Sequence, residues 1–442
     1  MSNLLRPRVF VNESIQELIT PGANPLVVGL IGVSEMGTAN VFQLFDSIAD
    51  VEAEYGLNTS KGALLVEMAR LAFAEGATEV KLCSIDTPTV ADTDALTVAP
   101  AAGDSSVTVA SNTGYAASDV IYIGSGNAGF AFEERRVVTG ISGGTIIQFT
   151  GDPLQFDHTT SESVFKVTEP VAGDFTTALG KLELDRDAQL VVIQSDNNTI
   201  NGNLLTSVGN AYNNQNFMIA LRGMARGTTE AASIIQAAVH DSDFMIQIFP
   251  TLTDKNGKYL QGFMGASAVC GAISGRGVPG VNFNLLDLES FGGVEAEIAD
   301  IDALIDGGVT PIELRDNAIR VVRLMTTSLT LESVPSDLLE EGSVRVNVNH
   351  IQRTVQRALE KRFLTAGNTP STREQIRSTV KNLLREFALS EILVTDEVTG
   401  TPGFKDPIVK TDSSNRKQVN VEIEIAPTLP LVFIKLNFRI NL

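Results

Sequence analysis

The chain has no tryptophan, three histidines and two cysteines in 442 residues, and each scarcity removes a class of function. Cys83 and Cys270 both sit in apolar segments, so they read as buried thiols of a chain made in a reducing compartment, not as a disulfide framework. His158, His240 and His350 are scattered, and no cysteine cluster joins them to complete a ligand set, so no metal and no cofactor is expected. The cluster His240-Asp241-Ser242-Asp243 precedes an apolar strand and reads as helix capping. Aromatic residues make up 6%, and without tryptophan a flat sugar-binding platform is hard to build. No apolar run approaches the roughly 18 residues of a membrane span. The opening MSNLLRPRVF lacks the apolar core of an export signal. No GxSxG elbow, HExxH or P-loop occurs, and no catalytic residue can be named. GSGNAG (124–129) matches GxGxxG, but strand-like FAFEERRVV follows it where dinucleotide binding needs a helix, so it reads as a glycine-rich loop. Acidic residues crowd at Glu295, Glu297, Asp300, Asp302 and Asp306, in the pattern of a solvated helix.

What is abundant is acid. The net charge of −20 disfavours nucleic acid, whose phosphates need a basic footprint. Residues 1–335 hold 18 Lys+Arg against 40 Asp+Glu, a net of −22, whereas residues 336–442 hold 15 against 13, a net of +2. The last quarter therefore meets a different surface from the rest. The length exceeds one ordinary core, and on the order of two to four domains are expected.

The texture along the chain divides it. Residues 1–25, with Pro7, Pro21 and Pro25, read as an extended arm. PLVVGLIGV (25–33) and EVKLCSI (79–85) read as buried strands, with helices near 46–55 and 60–75 between them. From about 87 to 168 the pattern turns to short alternating runs (LTVAP, SSVTVAS, DVIYIG, ERRVVTGI, TIIQFTG, SVFKVTE) separated by turn formers, as in a small barrel or sandwich. Strands QLVVIQS (189–195), NFMIALRG (216–223) and DFMIQIFP (243–250) then alternate with helices near 201–213 and 228–240. The fold class expected is an α/β core (26–86 plus 169–330) carrying an inserted all-β module (87–168), an α+β C-terminal domain (331–428) and a terminal strand arm (429–442). Helices over about 346–363 and 371–387 dominate that C-terminal domain, the second with Ser371 as its N-cap and Glu374 closing a capping box.

The order VGLIGVSEMG, EGATEVKLCSI, GVTPIELRDNAIRVVRLMTTSL, VNVNHIQRTVQRALEKRFL and VNVEIEIAPTLPLVFIKLNFRI resembles contractile-tail sheath proteins, in particular those of Mu-like and P2-like phages. AAGDSSVTVASNTGYAASDVIYIG resembles small β-domains of virion proteins. The resemblance implies a structural subunit stacked as hexameric rings in a helical lattice around an inner tail tube. It further implies baseplate and tail terminator partners, assembly in the host cytoplasm, residence in the virion and contraction that drives genome ejection. The inserted module would lie on the outer surface, and the C-terminal domain would face the tube. The two arms would pair with a sheet in neighbouring subunits.

The ends support such sharing on physical grounds. Val9, Phe10 and Val11, and Val432, Phe433, Ile434, Leu436, Phe438 and Ile440, alternate as strands whose backbone groups need a partner, and donation to a neighbour supplies one. A donor on one face and an acceptor on another propagates rings or helices. Arg373, Arg377, Lys381 and Arg385 recur every four residues, as do Arg353, Arg357 and Lys361, giving two cationic stripes. Either could face the tube through weak, salt-sensitive contacts, and a solvated helix face is the plainer account. The competing functions are a carbohydrate-binding adhesion protein using the module, an α/β enzyme with a pocket at the strand ends, and the sheath of an R-type bacteriocin or other injection device.

Overall fold

The computed structural model describes residues 26–57, 62–85, 89–125, 133–276, 283–329, 340–390, 392–394 and 402–428. Both proposed arms lie outside these residues.

The chain enters the sheet at β1 (Val28–Gly32), in which every residue is buried. Strand β2 (Phe42–Phe45) follows, then α1 (Ile48–Tyr55), whose cap Ser47 accepts the Asp50 amide hydrogen at 3.3 Å. Next come α2 (Leu65–Ala74) and β3 (Val80–Ser84). The β module begins with β4 (Thr89–Ala95), β5 (Ser106–Thr108) and β6 (Val120–Gly124). It closes with β7 (Glu134–Val137), β8 (Gly140–Ser142), β9 (Ile146–Gln148) and β10 (Ser163–Thr168). These make a four-stranded antiparallel sheet, β4-β10-β6-β7, and a three-stranded one, β5-β9-β8. Between them lies an interior of their own that includes Val107, Val109, Tyr115, Ile121, Ile147 and Phe149. The run LTVAP, read as a strand, contributes only a bridge from Leu96 to Val109; the strand lies earlier, in TVADTDA, where half-buried Asp92 and Asp94 alternate with exposed Ala91, Thr93 and Ala95 and so disguise the pattern.

The α/β pattern resumes with α3 (Thr176–Leu182), β11 (Leu190–Ile193), α4 (Asn198–Asn213), β12 (Ile219–Gly223), α5 (Glu230–His240) and β13 (Met245–Phe249). The hairpin strands β14 (Leu252–Asp254) and β16 (Phe291–Val294) flank α6 (Gly262–Arg276) and β15 (Leu286–Leu288). Then come α7 (Ile301–Asp306), β17 (Thr310–Arg315) and β18 (Ala318–Val321). The nine-stranded sheet runs β15-β18-β17-β13-β12-β11-β1-β3-β2. The strands from β17 through β3 are parallel, and β2, β18 and β15 are antiparallel additions at the two ends. Among the parallel strands the order in space is second, first, third, fourth, fifth, sixth, a doubly wound sheet that reverses direction between β1 and β11.

Helices cover both faces, α2 and α6 on one and α3 and α4 on the other. Helix α6 is buried from Gly262 to Ser274, so its sequence, GFMGASAVCGAISGR, shows no polar face and carries no helical period to read. Glycine makes its close approach possible: a Cβ on Gly271 would fall 2.2 Å from the Ala72 carbonyl oxygen of α2, and one on Gly223 only 1.9 Å from that of Gly262.

The C-terminal part is α8 (Gly342–Phe363), α9 (Pro370–Leu389), β19 (Ile408–Thr411) and β20 (Val419–Glu422). Val344, Val346 and Val348 alternate as in a strand, yet they lie in α8, which is enclosed on all sides here, so neither period shows. Helix α9 is capped by Thr369, whose hydroxyl accepts the Thr372 amide hydrogen at 3.1 Å, with Pro370 at the first turn. This corrects the cap expected at Ser371, and Glu374 pairs with Arg377 instead of closing a capping box.

Candidate assembly surfaces

In a doubly wound sheet the place to look for a ligand is the carboxyl end of the strands where the order reverses. Here that end is filled by the chain itself. Gln194, just past β11, accepts the Val33 amide hydrogen at 2.7 Å and donates to the Gly62 carbonyl at 2.9 Å, bridging the reversal point. A Cβ on Gly32 would meet the Gln194 amide oxygen at 2.6 Å, which is why the backbone can pass. Asp196 is spent on capping α6, accepting the amide hydrogens of Gly262 at 3.1 Å and Phe263 at 2.9 Å; burial pushes its carboxyl up to about 6. Arg222, fully buried, donates to Asn198, to Gln236 at 3.2 Å and to the His240 ring nitrogen at 2.6 Å. Burial first, and then the Arg222 charge, push His240 down to about 4, so its ring is neutral and accepts. His240 ends α5, and Asp241 forms its left-handed C-cap, as the capping reading of that cluster expects.

The β module is anchored at the same end. Asp152 pairs with Arg226 at 2.7 Å, Arg226 lies over the Tyr259 ring at 4.3 Å, and Gln155 exchanges hydrogen bonds with Gly257 and Tyr259 at 3.0 Å each. Inside the module Glu134, with no exposed side-chain surface, accepts from the Gln155 and Phe156 amides, from Arg136 and from His158 at 3.2 Å. His158 is also bonded to Glu162 at 2.8 Å. Although burial opposes both charges, the pairing wins: the carboxyl of Glu134 is held below its ordinary value and the imidazole of His158 above. The glycine-rich GSGNAG segment, partly outside the described residues, connects β6 to β7, which pair antiparallel.

Among the described residues no group of three or more His, Cys, Asp or Glu is placed to hold a metal ion, and no helix is long and apolar enough to cross a membrane. Cys83 and Cys270 are free and buried, which pushes the Cys83 thiol up to about 12 and that of Cys270 well up too.

The two cationic stripes are placed differently. On α8, Arg353 and Arg357 turn toward the core: Arg353 donates to the Asp187 carbonyl at 2.9 Å and Arg357 pairs with the Asp187 carboxylate at 3.2 Å. Arg353 is buried, whereas Arg357 and Lys361 of that stripe are exposed. On α9, Arg373 donates to Asn368 and Thr411, Arg377 to Glu374 and the Pro407 carbonyl, and Lys381 pairs with Asp406, while Arg385 is exposed. Beneath this stripe Ile376, Val380, Leu384 and Phe387 pack against Ile351, Val355 and Leu359 of α8 and Val409 of β19. The two-stranded β19-β20 sheet lies beside α9. Two strands alone are marginal in water, and this pair has a free edge among the described residues. The strand residues Val9, Phe10, Val11, Val432, Phe433, Ile434, Leu436, Phe438 and Ile440 lie outside them.

No protein-family model matches the chain. In sequence it is similar to a tail sheath protein of Bacillus phage SP01, 24% identical over 297 residues, covering 65% of this chain and 49% of that one. The chain thus spans about half the length of the curated relative it matches. In structure it is similar to a sheath tail protein from Desulfitobacterium hafniense, with a TM-score of 0.59 at 12% identity over 94% of this chain and 99% of the other. It is equally similar to the helical sheath of the anti-feeding prophage in its contracted state, with a TM-score of 0.58 at 12% identity over 99% of each chain. The architecture is mixed α/β with several sheets, and among the described residues Gln194 and Asp196 occupy its reversal point. The fold is that of the sheath proteins of contractile tails and injection systems.

Proposed function

We propose that this chain is the sheath subunit of a contractile tail, an assembly protein and not an enzyme. Copies stack as hexameric rings in a helical lattice around an inner tube, between a baseplate and a tail terminator, in a virion assembled in the host cytoplasm. Contraction of the lattice drives the tube through the host envelope for genome ejection. The observation that carries the reading is the match of fold along nearly the whole chain, module and C-terminal part included, to a sheath in its contracted helical form.

In this account the arms containing Val9–Val11 and Val432–Ile440 supply strands to neighbouring subunits, and the edge of the β19-β20 sheet, free among the described residues, is a fitting acceptor. The stripe Arg373, Arg377, Lys381 and Arg385 is the better tube-facing surface, because Arg385 is exposed and Arg377 and Lys381 pair with the largely exposed Glu374 and Asp406, whereas Arg353 is mostly buried beside Asp187. Some structural neighbours belong to the anti-feeding prophage and to an extracellular contractile injection system, so the sheath of such a device is the second reading. Negative-stain microscopy of the purified chain tests the proposal. Tubes or stacked rings are expected, and uniform small particles at every concentration would contradict it.

A further inference from the structure

The first half of α8 is buried in the α/β core, whose interior takes in Val346, but the helix pair around its second half has a separate apolar interior, and the contacts that join that half to the core are polar. Ile351, Val355 and Leu359 of α8 step by four residues into the helix-pair interior. The neighbouring face turns to the core. Asn349 donates to the Met218 carbonyl at 3.2 Å, and Gln352 to the Tyr212 hydroxyl at 3.1 Å. The remaining contacts converge on one turn, Asp185-Arg186-Asp187, just before β11. Arg353 donates to the Asp187 carbonyl at 2.9 Å. Arg357 donates to the Arg186 carbonyl and to the Asp187 carboxylate, each at 3.2 Å. Arg186 reaches back to Glu360 at 3.2 Å. From the sheet, Lys81 of β3 meets Asp185 at 2.6 Å and Asp187 at 2.9 Å. The turn is braced within itself, because the Asp185 carboxylate accepts the amide hydrogens of Asp187 and Ala188 at 2.8 and 2.9 Å.

We infer that the Asp185–Asp187 turn is an electrostatic clamp that makes the core and the helix pair move as one rigid body. An apolar joint would not be weakened by added salt. This one is charged, and its outer members, Arg186, Arg357 and Asp187, are about half exposed, so added salt screens it. Its inner member is not free to let go: Arg353 is mostly buried, and loss of the Asp187 carboxylate removes its nearest counter-charge, while Lys81 keeps Asp185. The clamp is a property of the single chain. Its use in contraction, turning the whole subunit as one lever, rests on the sheath reading.

Hydrogen exchange on the full chain in solution, at about 0.01 M and about 1 M salt, tests it. At low salt, Asp187→Asn and Glu360→Gln are each expected to speed exchange of α8 and α9 amides by about tenfold or more, with β1, β11 and β12 unchanged. High salt should bring the parent toward the variants, and the swap Arg186→Glu with Glu360→Arg should restore slow exchange. If Asp187→Asn fails to fold, Glu360→Gln carries the test, since its pair is partly exposed. Unchanged exchange in the folded variants, equal acceleration in core and helix pair, or no effect of salt would overturn the clamp. Whether the parent forms tubes is scored separately, so a failure of the sheath reading leaves this result standing.

Discussion

Single residues set the tightest limits. In an exposed helix, Gly→Ala stabilises by about 1 kcal/mol. At Gly271 the sign should reverse, because the new methyl would lie 2.2 Å from a backbone oxygen of α2 that cannot swing away. Gly271→Ala is expected to destabilise by about 1–3 kcal/mol, read as a lowered urea midpoint. An unchanged or raised midpoint would show that α2 and α6 do not approach so closely. In the module, Glu134 and His158 fix a pH window. The His158 value is raised on folding, so its contribution is full below the ordinary 6.5 and fades as pH rises through the folded value. The Glu134 value is lowered, so its contribution is full above the ordinary 4.5 and fades as pH falls through the folded value. The module should be most stable between the two. His158→Gln should lose stability relative to the parent near pH 6, and the gap should close at alkaline pH; a gap that is constant with pH would mean the imidazole carries no charge there.

At the level of elements, buried strands were the most legible feature. QLVVIQS contains β11 and DFMIQIFP contains β13, because a strand buried on both faces is apolar along its length. Less legible were the elements whose surroundings erase their period. Helix α6 has no polar side, and the first half of α8 mixes valines at strand spacing with Arg345, Asn347 and Asn349, all of them buried. The cationic stripes were visible as spacing, but sequence could not tell a stripe that grips its own chain from one that faces outward; Asp187, which decides it for Arg353 and Arg357, lies far off in sequence. The two stripes should therefore respond differently to reversal. Arg377→Glu with Lys381→Glu should cost little stability, within about 1 kcal/mol for such exposed pairs, while abolishing tube-templated assembly. Arg353→Glu should lower the unfolding midpoint of the subunit itself. Assembly unaffected by the double reversal would remove the α9 surface from the account.

For the molecule as a whole, the charge divides into −22 over residues 1–335 and +2 over 336–442, as the proposed contact of the C-terminal part with a separate tube would require. The carboxyl end of the sheet at the reversal point is occupied by Gln194 and Asp196, and the architecture is one shared with sheath proteins. If order is shared between copies, deletion of residues 1–20 or of 430–442 should abolish tubes and leave soluble, folded monomer by circular dichroism and sedimentation. Insoluble or unfolded product would place those strands in their own chain's core. The most direct measurement is a helical reconstruction, by electron cryomicroscopy, of tubes assembled from the full-length chain. The account predicts that Val432–Ile440 is hydrogen-bonded along a sheet edge of an adjacent subunit. A map in which both termini return to the sheets of their own subunit would contradict it.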